Sequence, residues 1–127
     1  MPVKIVAFFK RRPGMTRQEF IDYYETVHCK LAEKYLDRSG IVRYMRRYLN
    51  PMPDWLTGLT SGTGYDVVME LWFKDKAAFE SAFGGTPDPA VAAVFEQDEE
   101  NIFDRSAVSY NTVEEYDSRY FRVETAE

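Results

Sequence analysis

The chain is poor in the residues that form disulfides and metal sites, since its 127 residues include one cysteine and one histidine. A single cysteine excludes an internal disulfide, and any metal site would have to rest on carboxylates, so we expect no metal. The sequence also lacks a signal-peptide h-region and a run of about 18 apolar residues. We therefore expect no membrane association and a cytoplasmic location.

An excess of positive charge is missing as well, because 16 lysines and arginines stand against 21 aspartates and glutamates, which gives a formal net charge of −5 and a pI of about 5.0. Nucleic-acid binding needs clustered lysine and arginine, whereas the basic runs at residues 10–12 and 43–47 are short or interrupted by apolar residues. We expect no nucleic-acid partner. A glycine-rich phosphate loop is also missing, so we expect no nucleotide cofactor.

Apolar and aromatic residues are abundant, at 45% and 16% of the chain. This composition is typical of a globular protein, and 127 residues are enough for one domain with its own core. The aromatic content exceeds what packing requires and indicates a pocket or a large interface.

Hydrophobic periodicity and turn signals predict the order strand, helix, strand, strand, helix, strand. A capping box of Thr16 and Glu19 begins the first helix, which should extend to about Leu36. This order is typical of a ferredoxin-like split βαβ fold, an α+β class with a four-stranded antiparallel sheet. The predicted strands cover residues 3–9, 41–49, 65–73 and 106–113, with a long loop at 50–64 and a second main helix at 89–103.

The predicted domain comprises residues 1–113, and residues 114–127 form a charged C-terminal tail. Tyr116, Tyr120, Phe121 and Val123 suggest that this tail docks on the body or on a partner chain. The first and third strands are apolar on both faces, although the helices cover only one face. We therefore expect the other face to pack against a second copy in a symmetric homodimer.

Three stretches together resemble the EthD-like family of the dimeric α+β barrel superfamily. They are residues 3–20, the aromatic pair before Val27 and His28, and the third-strand string from Met69 to Phe73. The resemblance spans about residues 3–113. The family usually has a small residue and then Pro-Leu after this histidine, but here Cys29 and Lys30 precede Leu31, so the helix can continue.

The resemblance implies a dimeric α+β barrel and, by relation to known members, cofactor-free chemistry. Relatives include dehydratases or decarboxylases of aromatic polyketides, and more distant superfamily members include quinone-forming monooxygenases and lactone isomerases. The fold and the dimerisation of the family are more safely expected of this chain than the reaction of any one member.

His28 is the first candidate for a catalytic residue. An apolar stripe at steps of three and four places it on the inward face of the first helix. It is either a satisfied core histidine or a general acid or base in a pocket between helix and sheet. The stripe consists of Phe20, Tyr24, Val27, Leu31 and Tyr35.

Glu70 is the second candidate for a catalytic residue, and it shares a strand face with Asp66 and Trp72. By analogy with superfamily members whose third-strand tryptophan lines the pocket, we expect this face to line it. Glu70 would then orient His28 or polarise a substrate hydroxyl. The alternative is a salt bridge of Glu70 at the dimer surface, with an arginine at position 43, 46 or 47.

Two tyrosines are candidates for substrate binding. Tyr24 lies one turn before His28, and Tyr44 lies on the second strand, so either phenol could hydrogen-bond a substrate oxygen. Core packing is the alternative for both side chains.

Two functions follow from these candidates. The first is a cofactor-independent lyase or isomerase that moves a proton on a small hydrophobic or aromatic, oxygen-bearing ligand. The second is a non-catalytic homodimer that binds such a ligand or assists another enzyme of a catabolic or polyketide pathway.

Overall fold

The computed structural model describes residues 2–36, 39–85 and 87–121, and the elements follow the predicted order. The strands are β1 (Val3–Arg11), β2 (Ile41–Tyr48), β3 (Val67–Phe73) and β4 (Phe103–Thr112). The helices are α1 (Arg17–Tyr23), α2 (Cys29–Tyr35), α3 (Lys76–Phe83) and α4 (Pro89–Ile102). A π-helical turn (Tyr24–His28) joins α1 to α2, and a 3₁₀ turn (Arg119–Phe121) lies in the tail.

The four strands form one antiparallel sheet in the order β2-β3-β1-β4. This is the predicted α+β, ferredoxin-like arrangement. The register pairs Ile5 with Leu71 and Thr112, and Phe9 with Val67 and Val108. Strand β4 lies at an edge, in agreement with its polar sequence.

The helices cover one face of the sheet, and the core lies between them. Burying each large apolar side chain of this core contributes about 1.5–3 kcal/mol to stability. The buried core residues include Ile5, Ala7, Phe9, Phe20, Tyr24, Val67, Met69, Leu71, Phe73, Ile102 and Phe103.

The opposite side of the sheet, called the open face below, carries the other parity of the strands. Here Val6, Phe8, Val68 and Trp72 are half-buried within the chain itself. The prediction that β1 and β3 are apolar on both faces is therefore confirmed.

The first helix begins at the predicted capping box. The Thr16 hydroxyl accepts from the Glu19 N–H at 3.1 Å, and the Glu19 carboxylate accepts from the Thr16 N–H at 2.9 Å. These bonds satisfy two N–H groups that the first helical turn leaves free. The helical segment then continues past His28 to Tyr35, close to the predicted end.

The π-helical turn changes which residues face the core. The Cys29 N–H donates to the Tyr24 carbonyl, five residues back, so this turn holds one residue more than an α-turn. Tyr24 and His28 both point inward, whereas Val27 is exposed. The expectation that Val27 belongs to the buried stripe is wrong, because the extra residue moves it to the surface.

Within the described ranges, every helix is too short or too polar to cross a bilayer.

Candidate functional site

A buried histidine–aspartate pair lies where the π-helical turn packs against α4. The Nδ1 atom of His28 is 2.5 Å from Oδ2 of Asp98. The two residues are only 7% and 4% exposed. Buried charged groups persist only when they are paired and hydrogen-bonded, so this contact is tightly specified.

A tyrosine completes the hydrogen bonding of the buried carboxylate. The Tyr23 hydroxyl donates to Oδ1 of Asp98 at 2.8 Å and accepts from Nδ2 of Asn101 at 3.3 Å. Both oxygens of Asp98 therefore have partners. The network joins α1, the π-helical turn and α4 in one arrangement.

The pairing assigns a tautomer to the imidazole. A carboxylate only accepts hydrogen bonds, so Nδ1 of His28 carries the proton that points at Asp98. Nε2 makes no hydrogen bond to any residue that the structure describes. The rings of Tyr24 and Phe103 pack edge-on against the imidazole, at centroid distances of 4.6 and 5.1 Å.

A second carboxyl group lies near the imidazole. Burial raises the pKa of Glu99, while Arg105 and His28 act in the opposite direction. The same carboxyl acts on Tyr110. Burial chiefly, and then the charge of Glu99, raise the pKa of the Tyr110 phenol to about 12. The surroundings of His28 are thus acidic on the side of α4.

The Tyr24 hydroxyl lies on the β2 side of the site. It is buried and makes no hydrogen bond of regular geometry among the described residues, although the Tyr44 phenol lies close enough to interact with it. Burial raises the pKa of this phenol well above its ordinary value, and the Tyr44 and Tyr48 phenols raise it further. Burial also raises the pKa of Tyr44. An unsatisfied buried hydroxyl costs about 1–3 kcal/mol, so it is an unusual feature of a folded chain.

A groove of about 410 Å³ lies between α2 and strands β2 and β3. Tyr44 and Leu71 line it from the sheet, and Ala32 and Leu36 from the helical side. Ala32 is four residues after His28 on the same helix face, whereas His28 and Tyr24 themselves are not among the lining residues of the groove. The volume falls within the usual range for small-molecule sites, which is about 300–1,000 Å³.

The structure separates the predicted site residues into two groups. His28, Tyr24 and Tyr44 lie on the helix-covered side, whereas Glu70 and Trp72 lie on the open face. Because side chains alternate along a strand, the buried parity of β3 belongs to the core and the parity of Glu70 does not. Glu70 therefore does not orient His28, and Asp98 holds that position instead.

Glu70 takes the salt-bridge arrangement that the sequence offered as its alternative. It pairs with Arg47 and accepts from Nε1 of Trp72 at 3.0 Å. The Trp72 ring also contacts Nζ of Lys4, 3.8 Å from its centroid, and the Arg43 guanidinium at 4.9 Å. These side chains form a charged and aromatic cluster on the open face.

Asp66 has a structural partner at the beginning of β3. Its carboxylate accepts from the Arg11 N–H at 2.8 Å, and its backbone bonds both Phe9 and Leu49. Asp66 thus links the start of β3 to the ends of β1 and β2 by hydrogen bonds.

Sequence reasoning missed Asp98, although a signal was present. Asp98 is four residues before Ile102 and three after Phe95, so it falls on the apolar stripe of α4. A charged residue on such a stripe indicates a buried partner, and the lone histidine was the obvious candidate.

Over the described part of the chain, no three histidine, cysteine, aspartate or glutamate side chains converge in a way that could hold a metal ion.

Solved structures similar to this chain share its fold at low sequence identity. An ethyl tert-butyl ether D (EthD) family protein from Bacillus halodurans C-125 is 16% identical, with a TM-score of 0.59. The match covers 91% of this chain and 100% of that one. SnoaB, a cofactor-independent oxygenase from Streptomyces nogalater, is 14% identical with a TM-score of 0.55, over 93% and 96% of the two chains.

A dimeric ferredoxin-like protein of unknown function from Thermobifida fusca YX is 12% identical, with a TM-score of 0.55. That match covers 89% of this chain and 90% of the other. These similarities show a shared ferredoxin-like fold.

A search of curated proteins finds no sequence that matches this chain. The EthD domain model, however, matches residues 12–106, which is well over half of the chain. The match includes His28, Asp98 and the third-strand string. The chain belongs to the EthD family.

Proposed function

We propose that the chain is an enzyme that moves a proton on a small hydrophobic or aromatic, oxygen-bearing substrate, with His28 as its general base and acid. The reaction is a dehydration, decarboxylation or isomerisation. The observation that carries this proposal is the 2.5 Å contact between Nδ1 of His28 and Asp98 inside the protein.

The contact between His28 and Asp98 supports a role in proton transfer. With the Nδ1 proton directed at Asp98, Nε2 keeps a lone pair that can take a proton from the substrate. The negative charge of Asp98 stabilises the imidazolium that results, and the Tyr23 hydroxyl keeps the carboxylate in place. The imidazolium then returns its proton to the leaving hydroxyl in a dehydration, to the carbon that has lost CO₂ in a decarboxylation, or to a different substrate carbon in an isomerisation.

The groove beside Tyr44 is the proposed substrate site. Its apolar walls suit a hydrophobic or aromatic skeleton. The Tyr24 hydroxyl, which makes no hydrogen bond of regular geometry among the described residues, and the neighbouring Tyr44 phenol would bind a substrate oxygen. No cofactor is part of this proposal, in line with the cofactor-independent chemistry of SnoaB.

The active form in this proposal is a homodimer that buries the open face of the sheet. The half-buried Val6, Phe8 and Val68 support this assignment, because soluble monomers rarely leave a contiguous apolar surface uncovered. Glu70 and Trp72 then belong to the interface. The T. fusca neighbour with this fold is dimeric.

A non-catalytic ligand-binding protein is the second candidate, and one observation favours it. The His28 ring is nearly buried between Tyr24 and Phe103, so it could serve as a core group that is satisfied by Asp98. In that case the groove binds a ligand and His28 only holds α4 against the helix.

Deuterium exchange distinguishes the two functions. The probe is benzoylacetone, an aromatic 1,3-diketone whose acidic CH₂ protons exchange under general-base catalysis. The wild type should accelerate exchange, and His28→Ala should lose about 100-fold or more of that rate. Lys30→Ala, an exposed change on the same helix, is the control and should keep the rate.

Binding of the probe without faster exchange, together with a His28→Ala variant that loses only stability, would support the binding protein instead. Full exchange activity in His28→Ala would remove His28 from the mechanism.

A further inference from the structure

Residues 52–61 form a small hairpin with a defined shape at one end of the sheet. Pro53 and Thr60 are bridged, and the Asp54 N–H donates to the Leu59 carbonyl at 2.8 Å. The Asp54 carboxylate accepts from the N–H groups of Leu56 and Thr57, at 2.8 and 2.9 Å. The hairpin is therefore fixed by its own hydrogen bonds.

This ordered hairpin exposes large apolar side chains to an unusual degree. Trp55 is 88% exposed, and Met52, Leu56 and Leu59 are also exposed. Its concave side encloses a hollow of about 430 Å³, lined in part by Met52, Asp54, Trp55 and Leu59. A surface of this composition, with a carboxylate at its edge, is typical of a docking site for another apolar segment.

The described part of the tail, residues 114–121, has a matching composition. Tyr116 and Tyr120 are 94% and 88% exposed, and Phe121 is exposed beside Tyr120 with ring centroids 5.0 Å apart. The ion pair of Glu115 with Lys4 at 2.9 Å fixes the start of the tail on the open face. Arg119 adds a positive charge next to the aromatic pair.

The hairpin and the tail lie at opposite ends of the same sheet. The hairpin follows β2 at Tyr48, which is in register with Val67 and Phe9. The tail follows Thr112, which is in register with Ile5. Phe9 and Ile5 are about 13 Å apart along the strand, so the hairpin and the tail leave the sheet at different ends in one chain.

We propose that the tail of each copy docks in the hairpin hollow of its partner within a homodimer. A two-fold axis that runs across the strands, between two facing sheets, brings the tail of one copy and the hairpin of the other to the same end of the dimer. Strands β2 and β4 are the outer strands of the sheet, about 14 Å apart, and the eight residues from Thr112 to Tyr120 are long enough to cross that distance. The contact then occurs twice, since a two-fold interface pairs each surface with its complement. Tyr120 and Phe121 enter the hollow, and Arg119 approaches the Asp54 carboxylate.

The inference rests on the homodimer of the proposed function. It adds to that dimer a contact between the tail of one copy and the hairpin of the other. The occupant is a second copy because the chain itself supplies both complementary surfaces. Two unpartnered apolar surfaces of one chain become covered without any further protein.

Sedimentation equilibrium measures the dimer Kd of two variants and their combination. The tail variant is Tyr116→Ala/Tyr120→Ala/Phe121→Ala, and the hairpin variant is Trp55→Ala/Leu59→Ala. Each should raise Kd at least tenfold. The dimer Kd of the combined variant should be no higher than the larger Kd of the two separate variants, because both sets of substitutions remove the same contact. Val27→Ala, a change of an exposed side chain on the helix, is the control.

Disulfide trapping tests the exchange between copies directly. In Ser61→Cys/Ser118→Cys, oxidation should yield a covalent dimer on a non-reducing gel. Cys29 is buried, and Lys30→Cys/Ser118→Cys controls for random oxidation. An intrachain disulfide, or no more dimer than the control gives, would overturn the exchange.

The outcomes separate this inference from the dimer itself. A wild-type monomer would overturn both. A wild-type dimer whose Kd is unchanged in the tail and hairpin variants would overturn the tail docking alone. If the effects of the two variants on the dimer Kd multiply in the combined variant, that result would also contradict docking of the tail on the hairpin.

Discussion

Asp98 defines the chemistry at the scale of single residues. It is buried, and both of its oxygens have partners, which are the imidazole of His28 and the hydroxyl of Tyr23. A buried carboxylate with full hydrogen bonding can remain negative and stabilise a cationic imidazole. We infer that Asp98 decides which nitrogen of His28 is free.

Asp98→Asn tests this role because the amide keeps the volume and removes the charge. We expect deuterium exchange of benzoylacetone to fall about 100-fold or more, since the imidazolium loses its counter-charge. Urea denaturation should show that the variant remains folded. An exchange rate equal to the wild type, in a folded variant, would mean that the charge of Asp98 is unimportant for the proposed reaction.

A pair of tyrosine variants separates structural from functional hydroxyls. Tyr23→Phe removes a donor to Asp98 and should lower the free energy of unfolding by about 1–2 kcal/mol. Tyr24→Phe removes a hydroxyl that makes no hydrogen bond of regular geometry among the described residues, so we expect stability to stay equal or to rise by about 1 kcal/mol.

Tyr24→Phe should nevertheless weaken binding of benzoylacetone if this hydroxyl binds the substrate oxygen. Urea denaturation and calorimetric titration measure the two effects. A loss of stability in Tyr24→Phe equal to that in Tyr23→Phe would show that the Tyr24 hydroxyl is satisfied in the folded chain.

At the scale of elements, the π-helical turn sets the direction of His28. It holds Tyr24 and His28 on the inward face and leaves Val27 at the surface. Deletion of Thr26 should restore an α-turn and force either Phe20 or His28 out of its site.

We expect the Thr26 deletion to lower the free energy of unfolding by more than about 2 kcal/mol. Thr26→Ala is the matched control, because it keeps the residue count and should change stability by less than about 1 kcal/mol. Equal stability of the deletion variant and Thr26→Ala would contradict a specific role for the wide turn.

The helix is tied to β2 by Glu25, which bonds the Arg46 guanidinium and accepts from the Tyr48 hydroxyl at 2.5 Å. Hydrogen bonds from Arg46 chiefly, and then from Tyr48, lower the pKa of Glu25. The stabilisation is therefore complete above the unfolded pKa of about 4.3 and is lost as pH falls through the lower folded value.

Unfolding of Glu25→Gln across pH tests that linkage. The stability difference between wild type and variant should be largest near neutral pH and should shrink as pH falls below about 4. The exposed Glu96→Gln is the control and should show no such trend. A difference that stays constant down to about pH 3 would contradict a lowered pKa for Glu25.

Patterns among residues that are close in sequence predicted most of the helices and strands. The capping box at Thr16 and the alternation in β3 were visible because they depend on neighbours in sequence. The partner of His28 was not visible in the same way, because Asp98 lies 70 residues away and only tertiary packing brings them together. The covered face of β3 was equally undetermined, since both parities carry apolar residues.

The open face dominates at the scale of the whole molecule. It combines apolar side chains with the ion pair of Glu70 and Arg47 and with the Trp72 cluster. Such a surface suits a partner of the same kind, because a two-fold axis places each feature opposite its own complement.

Val68→Asp should disrupt the proposed dimer by placing a charge in its centre. We expect the dimer Kd to rise at least about 100-fold, since an unpaired buried charge costs several kcal/mol. Val27→Asp on the outer helix surface should leave Kd unchanged. Sedimentation equilibrium provides the comparison, and an unchanged Kd in Val68→Asp would exclude the open face as the interface.

The protonation of His28 is the most direct test of the account, and the chain offers a clean measurement because it contains a single histidine. Nitrogen-15 NMR of histidine-labelled protein at mildly alkaline pH resolves both ring nitrogens. The account predicts a proton on Nδ1, whose own ¹H resonance lies strongly downfield because of the bond to Asp98, and an unprotonated Nε2. A proton on Nε2 in place of Nδ1 would contradict the proposed base.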